Sequence, residues 1–131
     1  MAISRSELRK KAMIILYQIN IYQERKVNYY IDDIIKENLD IENDFVKSIV
    51  YGVTTYKDEL DKLANSLMED WTIDRIDMSG AAILRMAMYE LKYTDTPEVV
   101  VINEAIELAK KYSDDSVRKI INAVLDRMIR E

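Results

Sequence analysis

The sequence predicts an all-α fold, and three features carry that prediction. Only two glycines, Gly52 and Gly80, and one proline, Pro97, occur in 131 residues. Average usage would give about nine and about six or seven. Sandwiches and barrels consume turn glycines, so an all-β fold is all but excluded. Apolar residues recur three and four positions apart nearly everywhere, which is the repeat of a helix burying one face. Finally, 49% apolar and 33% charged residues mark a globular chain, neither disordered nor fibrous. The length fits one domain, 1–131, able to bury roughly two-thirds of its unfolded surface.

The elements follow in order. The first helix opens on Ser4-Arg5-Ser6-Glu7, the pattern of a capping box: the Ser4 hydroxyl takes the Glu7 amide and the Glu7 carboxylate reaches back. Its stripe is Leu8, Ala12, Ile15, Leu16, Ile19 and Tyr22. A short helix follows Asn28, using Tyr30, Ile31, Ile34 and Ile35, and Asn38 to Asn43 is a polar connection. From about Asn43 to Met68 the stripe is Val46, Ile49, Val50, Val53, Leu60, Leu63, Ala64 and Leu67. Gly52 sits inside it at a cost of about 1 kcal/mol against alanine, which suggests a close crossing or a kink. A break near Thr54-Thr55 would make two helices of it. Trp71 to Asp77 is a connection, and Asp77 or Ser79 caps the next helix, Gly80 to Tyr93. That helix is apolar on nearly every side through Ala81–Met88, so it is expected at the centre. Thr96-Pro97-Glu98 reads as N-cap, first-position proline and first-turn acid. The helix it starts ends near Tyr112. Ser113, Asp114 or Asp115 caps the last, whose stripe is Val117, Ile120, Ile121, Val124, Leu125 and Met128. Six or seven helices with short loops result.

The composition removes most catalytic chemistry. There is no cysteine and no histidine, so thiol nucleophiles, thiolate metal sites and Ser–His devices are out. No G-x-G or G-K-[ST] loop exists to cradle a phosphate. Glu104 and Glu107 lie one turn apart, but on the polar side of an amphipathic helix. Asp114-Asp115 is explained by capping. No stretch reaches the roughly 18 apolar residues of a membrane span, and no cleavage site follows Ala12–Leu16, so a cytoplasmic protein without membrane contact is expected.

The net charge of −5 disfavours nucleic acid except at a local patch. One such patch exists. Up to Lys11, the cations Arg5, Arg9, Lys10 and Lys11 face Glu7 alone, a local +3. Arg5 and Arg9, four apart, share a helix face, and the guanidinium fork suits phosphate. Arg118 and Lys119 stand in the first turn of the last helix, where cations oppose the helix dipole; either a ligand or open solvent accounts for them. Asn28 to Asp44 carries a local −5. Trp71 has two readings, loop anchor or base-stacking platform, and the tendency of large aromatics to be buried favours the first.

The string Ile83-Leu84-Arg85-Met86-Ala87-Met88-Tyr89-Glu90-Leu91, then Pro97, then Val101-Ile102-Asn103-Glu104-Ala105-Ile106-Glu107-Leu108-Ala109-Lys110-Lys111-Tyr112, closely resembles the NusB family of bacterial transcription antitermination factors. Ile121-Asn122-Ala123-Val124-Leu125-Asp126 is similar to that family's [VI]-N-G-V-L-D ending. Arg5, Arg9, Ala12, Leu16 and Tyr17 fit its opening pattern, Phe45, Gly52 and Val53 its middle helix, and Trp71 with Arg75 the connection after it. The resemblance runs from Arg5 to Asp126.

It implies two three-helix bundles packed across each other, no catalysis and no cofactor or metal. It implies pairing with the ribosomal protein NusE, binding of the pair to boxA RNA of nascent ribosomal RNA leaders, and through this an indirect link to the antitermination complex of RNA polymerase. The implied RNA-binding residues are Arg5, Arg9, Lys10, Arg118 and Lys119, and NusE docks elsewhere, involving the helix near Gly80. A homodimer is also open, since some family members dimerise and hide the RNA face. Three positions depart from the family: Ser6 and Glu7 dilute the basic helix, Ile120 replaces a frequent aromatic, and Ala123 replaces a glycine. These imply weaker RNA binding by the chain alone. Two rivals differ in class. One is a helical protein–protein scaffold without RNA binding. The other is the N-terminal domain of an RNA methyltransferase, disfavoured because the sequence ends at Glu131 without a cofactor motif.

Overall fold

The computed structural model describes residues 3–130. Among them it contains seven α-helices, one 3-10 turn and no strand: α1 Arg5–Glu24, α2 Ile31–Asn38, α3 Asp44–Thr55, α4 Lys57–Leu67, the 3-10 turn Ile73–Arg75, α5 Met78–Tyr93, α6 Glu98–Tyr112 and α7 Asp115–Arg130. Helices α1, α2 and α3 form one group and α5, α6 and α7 a second. Helix α4 flanks α5 and α7, and α5 packs against α1, α3, α4, α6 and α7. The all-round apolar sequence of α5 has this cause: every residue from Gly80 to Met88 is buried.

The long helical segment does break, at Tyr56, and Gly52 explains the close approach upstream of the break. A Cβ on Gly52 would come within 2.2 Å of Tyr89 Cζ and 2.5 Å of its hydroxyl oxygen, so α3 and α5 meet there because glycine has none. Tyr89 continues a row of rings. Its centroid lies 5.5 Å from that of Tyr93, which stacks on Tyr56 at 4.4 Å.

The helix ends are chemically specified. Ser4 accepts from the Glu7 amide at 3.2 Å, while no return bond from the Glu7 carboxylate forms among the described residues, so half the expected box is built. Helix α1 ends in a Schellman turn: Lys26 N–H bonds the Gln23 carbonyl and Val27 N–H the Tyr22 carbonyl. Lys26 takes the left-handed φ of 56° that this turn normally gives to glycine. Asn43 caps α3 and Asp77 caps α5. Helix α6 starts one residue later than Thr96-Pro97 suggests. Pro97 itself stands at the cap, its carbonyl taking the Val101 amide at 3.1 Å.

Candidate nucleic-acid interface

The N-terminal turn of α1 lies against α3, α5 and α6, and this decides what its cations can do. Arg5 is exposed, its guanidinium 4.0 Å from the centroid of the Phe45 ring. That stacking fixes the charge without consuming its hydrogen-bond donors. Lys10 is half-buried and stands 6.0 Å from the Tyr112 ring. It lines a hollow between α1 and α6 with Ser6, Glu7, Glu104, Glu107 and Lys111, so its surroundings are of mixed sign.

Arg9 corrects the sequence expectation of a phosphate-facing guanidinium. It is 4% exposed, and its Nε donates to both carboxylate oxygens of Glu90, each at 3.2 Å. Glu90 is 3% exposed, Glu104 stands 3.9 Å from Nη1, and Phe45 covers the guanidinium from 5.3 Å. Arg9 therefore ties α1 to α5 rather than facing solvent. The shared face with Arg5 is real, since both meet Phe45, but that face turns inward by its second turn.

At the other end of the set, the Asp114 carboxylate caps α7. Its Oδ1 accepts from the Val117 amide at 2.9 Å and from the Ser116 hydroxyl at 2.7 Å. The Val117 bond first, then the Ser116 bond, hold its carboxyl below the usual range. Arg118 is half-buried, with Nε 3.5 Å from Asp115 Oδ1. That Nε is buried and makes no hydrogen bond. Lys119 is exposed, forms no ion pair among the described residues, and lines a separate hollow with Met68, Trp71, Ile120, Ala123 and Arg127. Arg5 and Lys10 likewise form no ion pair among those residues. The five predicted residues thus do not line one hollow: Arg5 and Arg9 meet at Phe45, Lys10 lies toward α6, Arg118 stands beside Asp115, and Lys119 lines a wall beside Trp71.

Sequence reasoning missed one buried ion pair, one half-buried ion pair and one carbonyl cap. Glu90 and Arg85 are charged residues on the most buried helix. Such groups require partners, because a lone buried charge is very costly. That was the available signal, and their partners are Arg9 and Asp61, the latter bonded by Arg85 at 2.6 and 3.1 Å. Arg127 donates at 2.6 Å to the Leu67 carbonyl, closing the C-terminus of α4. Trp71 fits neither of its readings fully: it is 39% exposed, with the Arg75 guanidinium 4.3 Å from its ring centroid. No group of three acidic, histidine or cysteine residues suited to a metal occurs among the described residues. No described helix is long and apolar enough to cross a membrane.

Comparison with known proteins agrees with this architecture. A relative from Staphylococcus aureus, a transcription antitermination protein NusB, is 39% identical over 126 residues, covering 95% of this chain and 98% of its own. The structure of T. maritima NusB superposes with a TM-score of 0.84 at 28% identity, covering 100% of this chain and 94% of that one. A crystal structure of the antitermination factors NusB and NusE with double-stranded RNA has a TM-score of 0.79 at 24% identity, covering 96% of each chain, a likeness of fold. The sequence pattern of the NusB family matches residues 6–130, and with a match of that extent this chain belongs to the NusB family.

Proposed function

We propose that this protein is a non-enzymatic, single-domain RNA-binding adaptor in transcription antitermination. With NusE it binds boxA of nascent ribosomal RNA leaders in the cytoplasm and through that pair acts on RNA polymerase. The observation that carries this reading is the family match over residues 6–130, with the S. aureus relative being an antitermination protein. The placement of the cations supports it. Arg5, Lys10 and Lys119 are accessible and unpaired among the described residues, and Arg118 is half-buried beside Asp115. These four contact phosphate, and Arg9 holds the α1 end that presents Arg5 and Lys10.

The magnitude follows from counterion release. Each neutralised phosphate of a single strand contributes about 0.7 to the salt slope, so four contacts give a slope of about −3. The chain's −5 charge opposes approach, and NusE supplies further contacts. The test is a gel shift of boxA RNA with and without NusE at two salt concentrations. RNA binding that rises with NusE and falls with salt supports the adaptor. Firm NusE binding without RNA binding in either sample would overturn it in favour of a protein-only scaffold.

A further inference from the structure

Resting on the RNA-binding reading above, we propose that the hollow between Trp71 and the middle turns of α7 seats one unpaired nucleobase of the bound RNA, with Trp71 as its platform. The walls are Met68, Trp71, Ile120, Ala123 and Val124, a mainly apolar set. Ala123 contributes only a methyl group there, which keeps the space open. At the rim stand Lys119, Arg127 and Glu69. Arg127 is spent on the Leu67 carbonyl and on Glu69, at 2.6 and 3.3 Å. Lys119 is left as a cation without an ion-pair partner among the described residues.

An apolar slot with a half-exposed indole and a free cation at its edge is complementary to a nucleotide. The base offers a flat apolar surface and its phosphate a negative charge, and base–aromatic stacking tolerates any base. An apolar protein segment would fill the walls but would leave Lys119 unanswered. The indole is also held in place. Asp70 takes a left-handed φ of 54° immediately before Trp71, which turns the chain, and Arg75 packs on the ring. Aspartate adopts that conformation more readily than most residues. Among the residues that line the hollow, Trp71 alone supplies a ring.

Trp71 is the only tryptophan of the chain, so its emission reports on this hollow alone. The experiment titrates the full-length protein with a labelled single-stranded boxA RNA, reading label anisotropy and Trp71 emission together. The titration is repeated with Trp71→Ala and Trp71→Phe, folded state checked by circular dichroism, and with RNAs carrying one abasic position at a time. The expected result is saturable quenching of Trp71 with the same midpoint as the anisotropy. Trp71→Ala should lose about five- to a hundred-fold in affinity, and Trp71→Phe should recover part of it. One abasic position should weaken the wild type and leave Trp71→Ala unaffected. RNA binding with unchanged Trp71 emission and no special abasic position would overturn this inference while leaving the adaptor reading intact. Absence of RNA binding both with and without NusE would overturn both. Quenching by unlabelled, tryptophan-free NusE alone, with no further change on adding RNA, would overturn it by making the hollow a protein-docking surface.

Discussion

Removing Arg9 tests the division between holding the interface and contacting RNA. Both members of the Arg9–Glu90 pair are essentially sealed from water, at 4% and 3% exposure, and Arg9 Nε reaches both oxygens at 3.2 Å. Arg9→Ala leaves the Glu90 carboxylate buried without its main partner, and breaking a buried pair from one side costs about 3–5 kcal/mol. Domains of this size are stable by about 5–15 kcal/mol in all, so Arg9→Ala should be marginal. Arg9→Met combined with Glu90→Leu removes both charges at similar volume, and such replacements are often neutral or stabilising. Urea unfolding followed by circular dichroism gives the stabilities, and RNA affinity is measured on the well-folded double variant. That variant should bind RNA close to wild type, because Arg5 and Lys10 stay in place. A stability loss below about 1 kcal/mol for Arg9→Ala, or a folded double variant that binds RNA tenfold more weakly, would refute the assignment of Arg9 to positioning.

Four further expectations follow from the same geometry. Lys26→Gly should stabilise the protein by up to about 1 kcal/mol in urea unfolding, because lysine in the left-handed region carries a steric cost that glycine lacks. Gly52→Ala should destabilise: displacing the Tyr89 ring costs about 1–3 kcal/mol by overpacking against about 1 kcal/mol of helix propensity gained, and in a Tyr89→Ala background the penalty should vanish. The Tyr93 hydroxyl donates to Glu59 at 2.6 Å, which is the first cause pushing its pKa up to about 12. That bond contributes stability fully below the ordinary tyrosine value near 10 and loses it as pH rises toward 12, so Tyr93→Phe should flatten the loss of stability in that window. Asp114 has the opposite sign: its lowered pKa means a contribution present above the unfolded carboxylate value and lost as pH falls below it, so Asp114→Asn should be weaker at neutral pH and less acid-sensitive.

The helices were legible because their causes are local. Apolar spacing placed six or seven helices, Gly52 flagged the tight crossing, and the run Ala81–Met88, apolar except at Arg85, placed α5 at the centre. The start of α6 shifted by one residue because proline serves as well at a cap as inside the first turn. The candidate site was only partly legible. The fate of Arg9 depends on Glu90, 81 residues away, a separation that local spacing does not report. A sign was present nonetheless: Arg9 falls three before Ala12 and seven before Leu16, on the core stripe rather than beside it. Lys10 and Lys119 were expected to contact RNA together; that they line two different hollows depends on how α1 and α7 pack around α5. The hollow at Trp71 joins a connection to a helix about 50 residues later, so only the folded chain brings them together.

RNA binding by this NusB-family chain is proposed to run through a few accessible cations, aided by NusE. Its most direct test is the affinity of boxA RNA against salt concentration, measured with and without NusE, for wild type and for Lys10→Ala with Lys119→Ala. The expected slope is about −3 for the chain alone, reduced by about 1.4 in the double variant, with tighter binding when NusE is added. RNA affinity that does not vary with salt, or a double variant identical to wild type in affinity and slope, would contradict it.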